Sequence, residues 1–331
     1  MYERFCELPL SKIDTADLTY QVSNPGKNQE LVASLEAIGL INPPISIQTG
    51  EKYKIVSGFR RIHAVQDLGW EVIPSLVLSR QTTDRKCAQI AIGDNTTSRN
   101  LDVVEQARAL KVLEACVSND REVLIAFAAK IGLPLNLPLI EKLNLVNSMS
   151  TVFRDGMTLG ALALPTAIKL HHWKNAEAAV KLGNLLIELN LSLNRQREMI
   201  EWFEGILARE STTIDNILEY LGINRILSDR NLDRRNKIDT IRSLLKKQRY
   251  PSIVAMENHY SKLLKQLQLP KGCQVISPPF FEGNIYSVKI DFSTPSQLIR
   301  LLGQIHNLAQ RKEMFDLLSL HTHELDHLIK D

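Results

Sequence analysis

Cysteine is scarce and scattered. Cys6, Cys87, Cys116 and Cys273 form no CxxC or other metal-ligand spacing, which excludes a disulfide scaffold and a cysteine zinc site and fits buried thiols in a reducing compartment. No apolar run reaches the roughly 18 residues of a membrane span, and Met1-Tyr2-Glu3-Arg4 is not a basic region followed by an apolar one, so neither a span nor a signal peptide is expected and the cytoplasm is the simplest location. There is no internal repeat or low-complexity tract, and no Ser-His-Asp or Cys-His set that would mark a nucleophilic enzyme. Charge of one sign is also lacking overall: the net charge is only +3 over 331 residues. Its distribution is uneven, however. Residues 1–100 balance 11 basic against 11 acidic side chains, whereas residues 224–250 carry nine against three.

A chain of this length exceeds one compact core, so two or three domains are expected. From Phe5 to Val77 the pattern changes quickly: an apolar segment Leu8–Ile13, a helix Gln29–Ile38 stopped by Gly39, a strand Pro43–Ile47, a Gly50 turn and a strand Tyr53–Val56. A helix Arg60–Leu68 and a strand Val72–Leu78 complete a small α+β unit. Beyond Thr82 the spacing predicts helices at 84–94, 102–117, 120–131, 137–149, 158–171, 175–189 and 192–208. The pair 120–131 and 137–149, joined by Gly132-Leu133-Pro134, has helix-turn-helix lengths and turn chemistry. A basic helical segment at 224–250 precedes Pro251, which restarts a helix to about 268. Short strands at 273–276 and 285–292 and a long helix from Ser296 follow. The expected division is 1–100, 101–222, 223–250 and 251–331.

Ser57-Gly58-Phe59-Arg60-Arg61 lies where a strand gives way to a helix, so backbone N–H groups and the positive helix end converge there. Two arginines add guanidinium forks suited to phosphate oxygens; the same string also fits a solvated helix start with surface arginines. A second polar stretch, Asp94-Asn95-Thr96-Thr97-Ser98-Arg99-Asn100-Leu101, is expected to end one helix and cap the next. If it folds over the first, Asp94 and Asn95 supply hard oxygen ligands for Mg²⁺ and Arg99 a third cation.

The order of these pieces resembles the N-terminal domain of ParB-like proteins: Leu8–Ile13, Leu31–Leu40, Pro43-Pro44-Ile45, Tyr53–Val56, Gly58–Ala64, Gly69 and Ile73-Pro74, followed by the polar stretch and Glu105-Gln106-Ala107-Arg108-Ala109. The resemblance covers residues 5–115 and extends more loosely to 208. It implies an α+β N-terminal fold followed by a helical middle domain, while the strands and helix beyond residue 251, outside the resemblance, read as a small α+β C-terminal domain. It also implies CTP or another nucleoside triphosphate with Mg²⁺ as cofactors, a homodimer, DNA and a partner ATPase as partners, and a role in chromosome or plasmid partition or regulation. Carried over by position, Gly58, Arg60 and Arg61 match the family's first phosphate box and Asp94 and Asn95 the start of its second. With Ser57 and Arg99 beside them, Ser57, Gly58, Arg60, Arg61, Asn95 and Arg99 are expected to hold the nucleotide, and Asp94 with Asn95 to hold Mg²⁺. Three departures bear on hydrolysis: Phe59 stands for a glutamate, Asp94 is one methylene shorter than the family's glutamate, and Arg99 is displaced by one residue. Nucleotide binding with slow or absent turnover is the resulting expectation, with Asp94 as the catalytic candidate. The alternatives are a ParB-fold kinase using Asp94 as base, and a helical adaptor with a vestigial pocket.

Sequence readout of DNA through residues 137–149 is disfavoured, because Leu137, Pro138, Leu139 and Ile140 are apolar and only Asn136, Lys142, Asn144 and Asn147 suit base edges. Phosphate contacts are expected instead from Arg230, Arg234, Arg235, Lys237, Arg242, Lys246 and Lys247, with Arg225 and Arg249 beside them; the same residues also suit a solvated helix face. His323-Glu324-Leu325-Asp326-His327 fits the zinc spacing HExxH, with His321 nearby. The usual downstream third ligand is absent, so coincidence on a polar helix end is the preferred reading.

Overall fold

The computed structural model describes residues 2–24 and 29–320. Its residue contacts separate into two compact units, one through Gln196 and one from Arg197. Strands β1 (Tyr2–Pro9) and β2 (Ile13–Asp14) flank a 3-10 turn at Leu10–Lys12. The apolar segment at 8–13 is therefore no single element, and its Leu8, Leu10 and Ile13 are all buried. Helix α1 (Gln29–Ile38), the hairpin β3 (Ile45–Thr49) and β4 (Lys52–Ser57), helix α2 (Phe59–Asp67) and strand β5 (Val72–Leu78) follow. β3 starts after Pro43 and Pro44, which have no N–H to give a ladder.

The five strands are ordered β1-β5-β3-β4-β2. β5 pairs antiparallel with β1 and parallel with β3, and β4 pairs antiparallel with β3 and parallel with β2. Leu8, Ile13, Leu35, Ile55, Phe59, Ile62, Val65, Ile73 and Val77 form one core. In β4, Tyr53, Ile55, Val56 and Ser57 are all buried, as in a strand covered on both faces.

Helices α3 (Asp84–Ser98), α4 (Val103–Cys116), α5 (Arg121–Ala129), α6 (Leu137–Ser148), α7 (Thr151–Thr158), α8 (Leu164–His171), α9 (Ala176–Leu189) and α10 (Leu193–Glu210) come next. The expected helix at 158–171 starts later, at Leu164 with Pro165 in its first turn, and α7, capped by the Ser150 side chain at Phe153 N, occupies a stretch expected to lie between helices. α3 packs against β4 and α4, and α4 carries α6. The second unit adds α11 (Ile214–Tyr220), α12 (Ile223–Ser228), α13 (Arg234–Arg249), α14 (Pro251–Leu267), β6 (Cys273–Ile276), β7 (Ser287–Ile290), α15 (Pro295–Ala309) and α16 (Lys312–Leu318). α11 has no counterpart among the expected helices. The basic segment breaks at 229–233, where Asp233 accepts from Asn236 N to start α13. The long final helix also divides, at Gln310-Arg311. Met256, Leu263, Leu267, Val275, Phe281, Met314, Leu317 and Leu320 form a separate core. Among the described residues no helix is long and apolar enough to cross a membrane.

Candidate phosphate site

β4 ends at buried Ser57, and Gly58 turns the chain into α2 with φ +97° and ψ +21°. A side chain at 58 would strain that backbone and place its Cβ 2.7 Å from Pro44 Cβ and 2.9 Å from Pro44 Cα. Glycine is thus required here by both conformation and space. No side chain caps α2, so its positive end is left for an anion. Phe59 is 3% exposed and packs in the domain core. The residue that departs from the family's glutamate therefore anchors the start of α2.

α3 runs four residues further than its apolar pattern indicates, to Ser98, so Asp94 and Asn95 sit within its final turns. The hydroxyls of Thr96, Thr97 and Ser98 hydrogen-bond back to carbonyls of their own helix. The cap of α4 is Asp102, one residue beyond the polar stretch expected to provide it.

The two polar stretches meet. Ser57 donates its hydroxyl to Asp94 Oδ2, and Arg61 Nη2 lies 3.1 Å from the same oxygen. Arg61 Nη1 also donates to the carbonyls of Asn42, at 2.7 Å, and Pro43, at 3.2 Å. Arg61 therefore braces the loop before β3 against α3. A cavity of about 500 Å³ opens over this junction, within the range of small-molecule sites. Its polar lining includes Ser23, Ser57, Arg60, Arg61, Asp94, Asn95, Ser98 and Arg99, and Leu31, Pro43, Ile45 and Leu76 give it an apolar side. All six residues expected to hold a nucleotide, and Asp94, line this one cavity.

Arg99 grips Glu105 through both terminal nitrogens, the Nη2–Oε1 distance being 2.7 Å. Glu105 is only 3% exposed and also accepts from the backbone N–H groups of Asn24 (3.1 Å) and Asp102 (3.2 Å). Burial pushes this carboxyl up, but Arg99 and the two backbone donors outweigh it and hold it below the usual carboxylate range. Asn24 Nδ2 in turn donates to Asp102 at 2.6 Å, and Arg108 donates to Asn24 Oδ1. Glu105 enters the family resemblance without a role; Asp102-x-x-Glu105, a capping-box spacing, is the signal that could have found it.

As for a metal, both bonds to Asp94 use Oδ2, leaving Oδ1, and Asn95 donates its Nδ2 to Ala91 O at 2.8 Å, leaving its amide oxygen. One carboxylate and one amide fit Mg²⁺ held jointly with phosphates, the usual habit of that ion. Among the described residues no three His, Cys, Asp or Glu side chains gather as a metal cluster. His321, His323, Glu324 and His327 lie outside the described residues.

α5 and α6, the expected helix-turn-helix pair, are joined through Gly132, φ +75°, and the Thr96 hydroxyl donates to Ile131 O in that turn at 2.7 Å. On α6, Ile140, Leu143 and Val146 are buried, while Leu137, Glu141, Lys142 and Asn144 are exposed. Glu141 pairs with Arg121, and Asn144 donates to Glu114 at 3.2 Å. In the basic segment, Arg242 pairs with Glu198 and lies over the Trp202 ring, Lys246 pairs with Glu257 at 2.7 Å, and Lys237 Nζ donates to Leu227 O at 2.5 Å. Arg249 is seated against Gly205, where a side chain would collide with it. Arg225, Arg230, Arg234, Arg235 and Lys247 are exposed.

These features define an α+β domain whose helix start and neighbouring helix end share one polar cavity. Residues 2–96 match the family model described as the ParB N-terminal domain. The first domain, over residues 2–96, belongs to that family. It is similar to a nucleoid occlusion protein of Bacillus cereus (strain AH187), 26% identical over 204 residues that cover 60% of this chain and 67% of the relative. Similarity to the nucleoid occlusion protein of Bacillus thuringiensis (strain Al Hakam) has the same identity and coverage. Among solved structures, the C-terminally truncated chromosome-partitioning protein ParB from Caulobacter crescentus, complexed to the centromeric parS site, is 21% identical. The match covers 59% of this chain and 97% of that one, with a TM-score of 0.32. The same protein complexed with CTP-gamma-S matches at 21% identity over 56% and 99%, with a TM-score of 0.23.

Proposed function

We propose that this chain is a DNA-associated partition or regulatory protein that binds a nucleoside triphosphate, CTP above others, with Mg²⁺. The observation that carries this reading is the convergence of Gly58, Arg60, Arg61, Asp94, Asn95 and Arg99 on one cavity at an uncapped helix start. The phosphates would take the α2 N-terminus and the arginine donors, and Mg²⁺ would bridge them to Asp94 and Asn95. Turnover is slow or absent, since Asp94 already holds Ser57 and Arg61 and, among the described residues, no second carboxylate lines the cavity. That occupancy also weighs against a kinase with Asp94 as base.

DNA contact is assigned to phosphates rather than bases, through Arg230, Arg234, Arg235 and Lys247, because on the exposed face of α6 Glu141 and Asn144 are held by Arg121 and Glu114 and leave little for readout. A homodimer and a partner ATPase, in the cytoplasm, complete the reading, along with the four-part division at 100, 222 and 250. The nucleotide claim is tested by isothermal titration with CTP, ATP and GTP in Mg²⁺: sub-millimolar binding of CTP supports it, and no binding of any of the three refutes it.

A further inference from the structure

We infer that Glu105 is a positioning residue for the ligand's outer phosphates, acting by presenting Arg99 to the cavity; this rests on the nucleotide reading above. Arg99 follows the last turn of α3 in extended backbone, φ −167° and ψ +166°. A long side chain on such a segment loses rotamer freedom when it captures a ligand, which weakens binding. Here that freedom is already lost. The guanidinium is locked fork to fork on Glu105, which fixes its plane as well as its place.

The anchor is itself rigid, because Glu105 is buried and held by the N–H groups of Asn24 and Asp102. A carboxylate serving only as the reciprocal half of a capping box needs the Asp102 N–H alone. The additional bonds tie the start of α4 to two segments that reach the cavity, Ser23-Asn24 and the end of α3. Glu105 takes one donor from each terminal nitrogen of Arg99, and Asn100 O, at 3.5 Å, takes a second from Nη1; a guanidinium carries five N–H donors, so Nε and one on Nη2 remain for a ligand. Because the ion pair cancels most of the net charge, Arg99 contributes oriented donors more than long-range attraction. Its effect should therefore fall on the number of phosphates recognised.

The test measures affinities for CTP, CDP and CMP with Mg²⁺ in the wild type, Glu105→Gln and Arg99→Lys. Glutamine turns an N–H₂ toward the guanidinium and releases it, while lysine keeps the charge paired but loses the fork. Both variants are expected to lower the CTP-to-CMP affinity ratio about tenfold, with CMP binding changed by less than about twofold. An unchanged ratio in folded Glu105→Gln, or an equal loss for all three nucleotides, overturns the inference and leaves nucleotide binding standing. If Glu105→Gln does not fold, the ratio in Arg99→Lys decides in the same way. A wild type that binds none of the three overturns both proposals, and so separates that failure from this one.

Discussion

Gly58 is the residue on which the site turns. Alanine there must adopt a positive φ and displace Pro44, so Gly58→Ala is expected to cost about 1–3 kcal/mol and to be visible as a lowered thermal midpoint. A midpoint equal to the wild type's would show that the turn is not the tight junction described. Glu105 carries a second expectation. Its carboxyl is held below its ordinary value of 4.5, so its stabilising contribution is present above that pH and lost as pH falls through the lower folded value. Urea melts below pH 4.5 should fall more steeply for the wild type than for Glu105→Gln; parallel slopes would contradict this. At this scale the sequence was informative where chemistry is local. Ser57, Gly58, Arg61 and Asp94 could be picked out by residue type and order, and they do meet. What could not be read was their use. Nothing local says that Arg61 spends donors on two loop carbonyls, or that Arg99 spends two on a glutamate six residues on.

Elements were legible where one face is apolar and the ends are marked. α1, α2, α4 and α9 follow their spacing closely. The misses turn on caps. Ser150 starts α7 in a stretch read as lying between helices, and Asp233 starts α13 inside a basic run that reads as continuous helix. Asp233→Ala should therefore destabilise by about 1 kcal/mol in chemical denaturation, the ordinary worth of such a cap. The extension of α3 to Ser98 has the opposite origin, since polar residues taken as capping instead fold back on their own helix. Thr96 does more, because its hydroxyl also reaches Ile131 O in the turn between α5 and α6. Thr96→Val is expected to leave that carbonyl without its side-chain partner and to speed amide exchange in residues 130–135 relative to the rest of the first unit.

For the whole molecule, charge placement matters more than net charge. Of the seven basic residues expected to meet DNA phosphates, Lys237, Arg242 and Lys246 are partly buried and held by other parts of the protein, whereas Arg230, Arg234, Arg235 and Lys247 are exposed, Arg235 lying 3.9 Å from Asp239 of its own helix. Reversing Arg230, Arg235 and Lys247 together should weaken DNA binding and flatten its salt dependence, by roughly one unit of log–log slope for each DNA phosphate that is no longer neutralised. Unchanged affinity and slope in a fluorescence-anisotropy salt series would exclude this face. The nucleotide reading stands or falls, however, on the cavity in the first unit. The most direct measurement is a crystal structure of the protein grown or soaked with CTP and Mg²⁺. The expected result is phosphate density over the Gly58–Arg61 turn, within hydrogen-bonding reach of Arg99, with the cation beside Asp94. Density for the nucleotide elsewhere, or an empty cavity at a ligand concentration well above the measured dissociation constant, would contradict it.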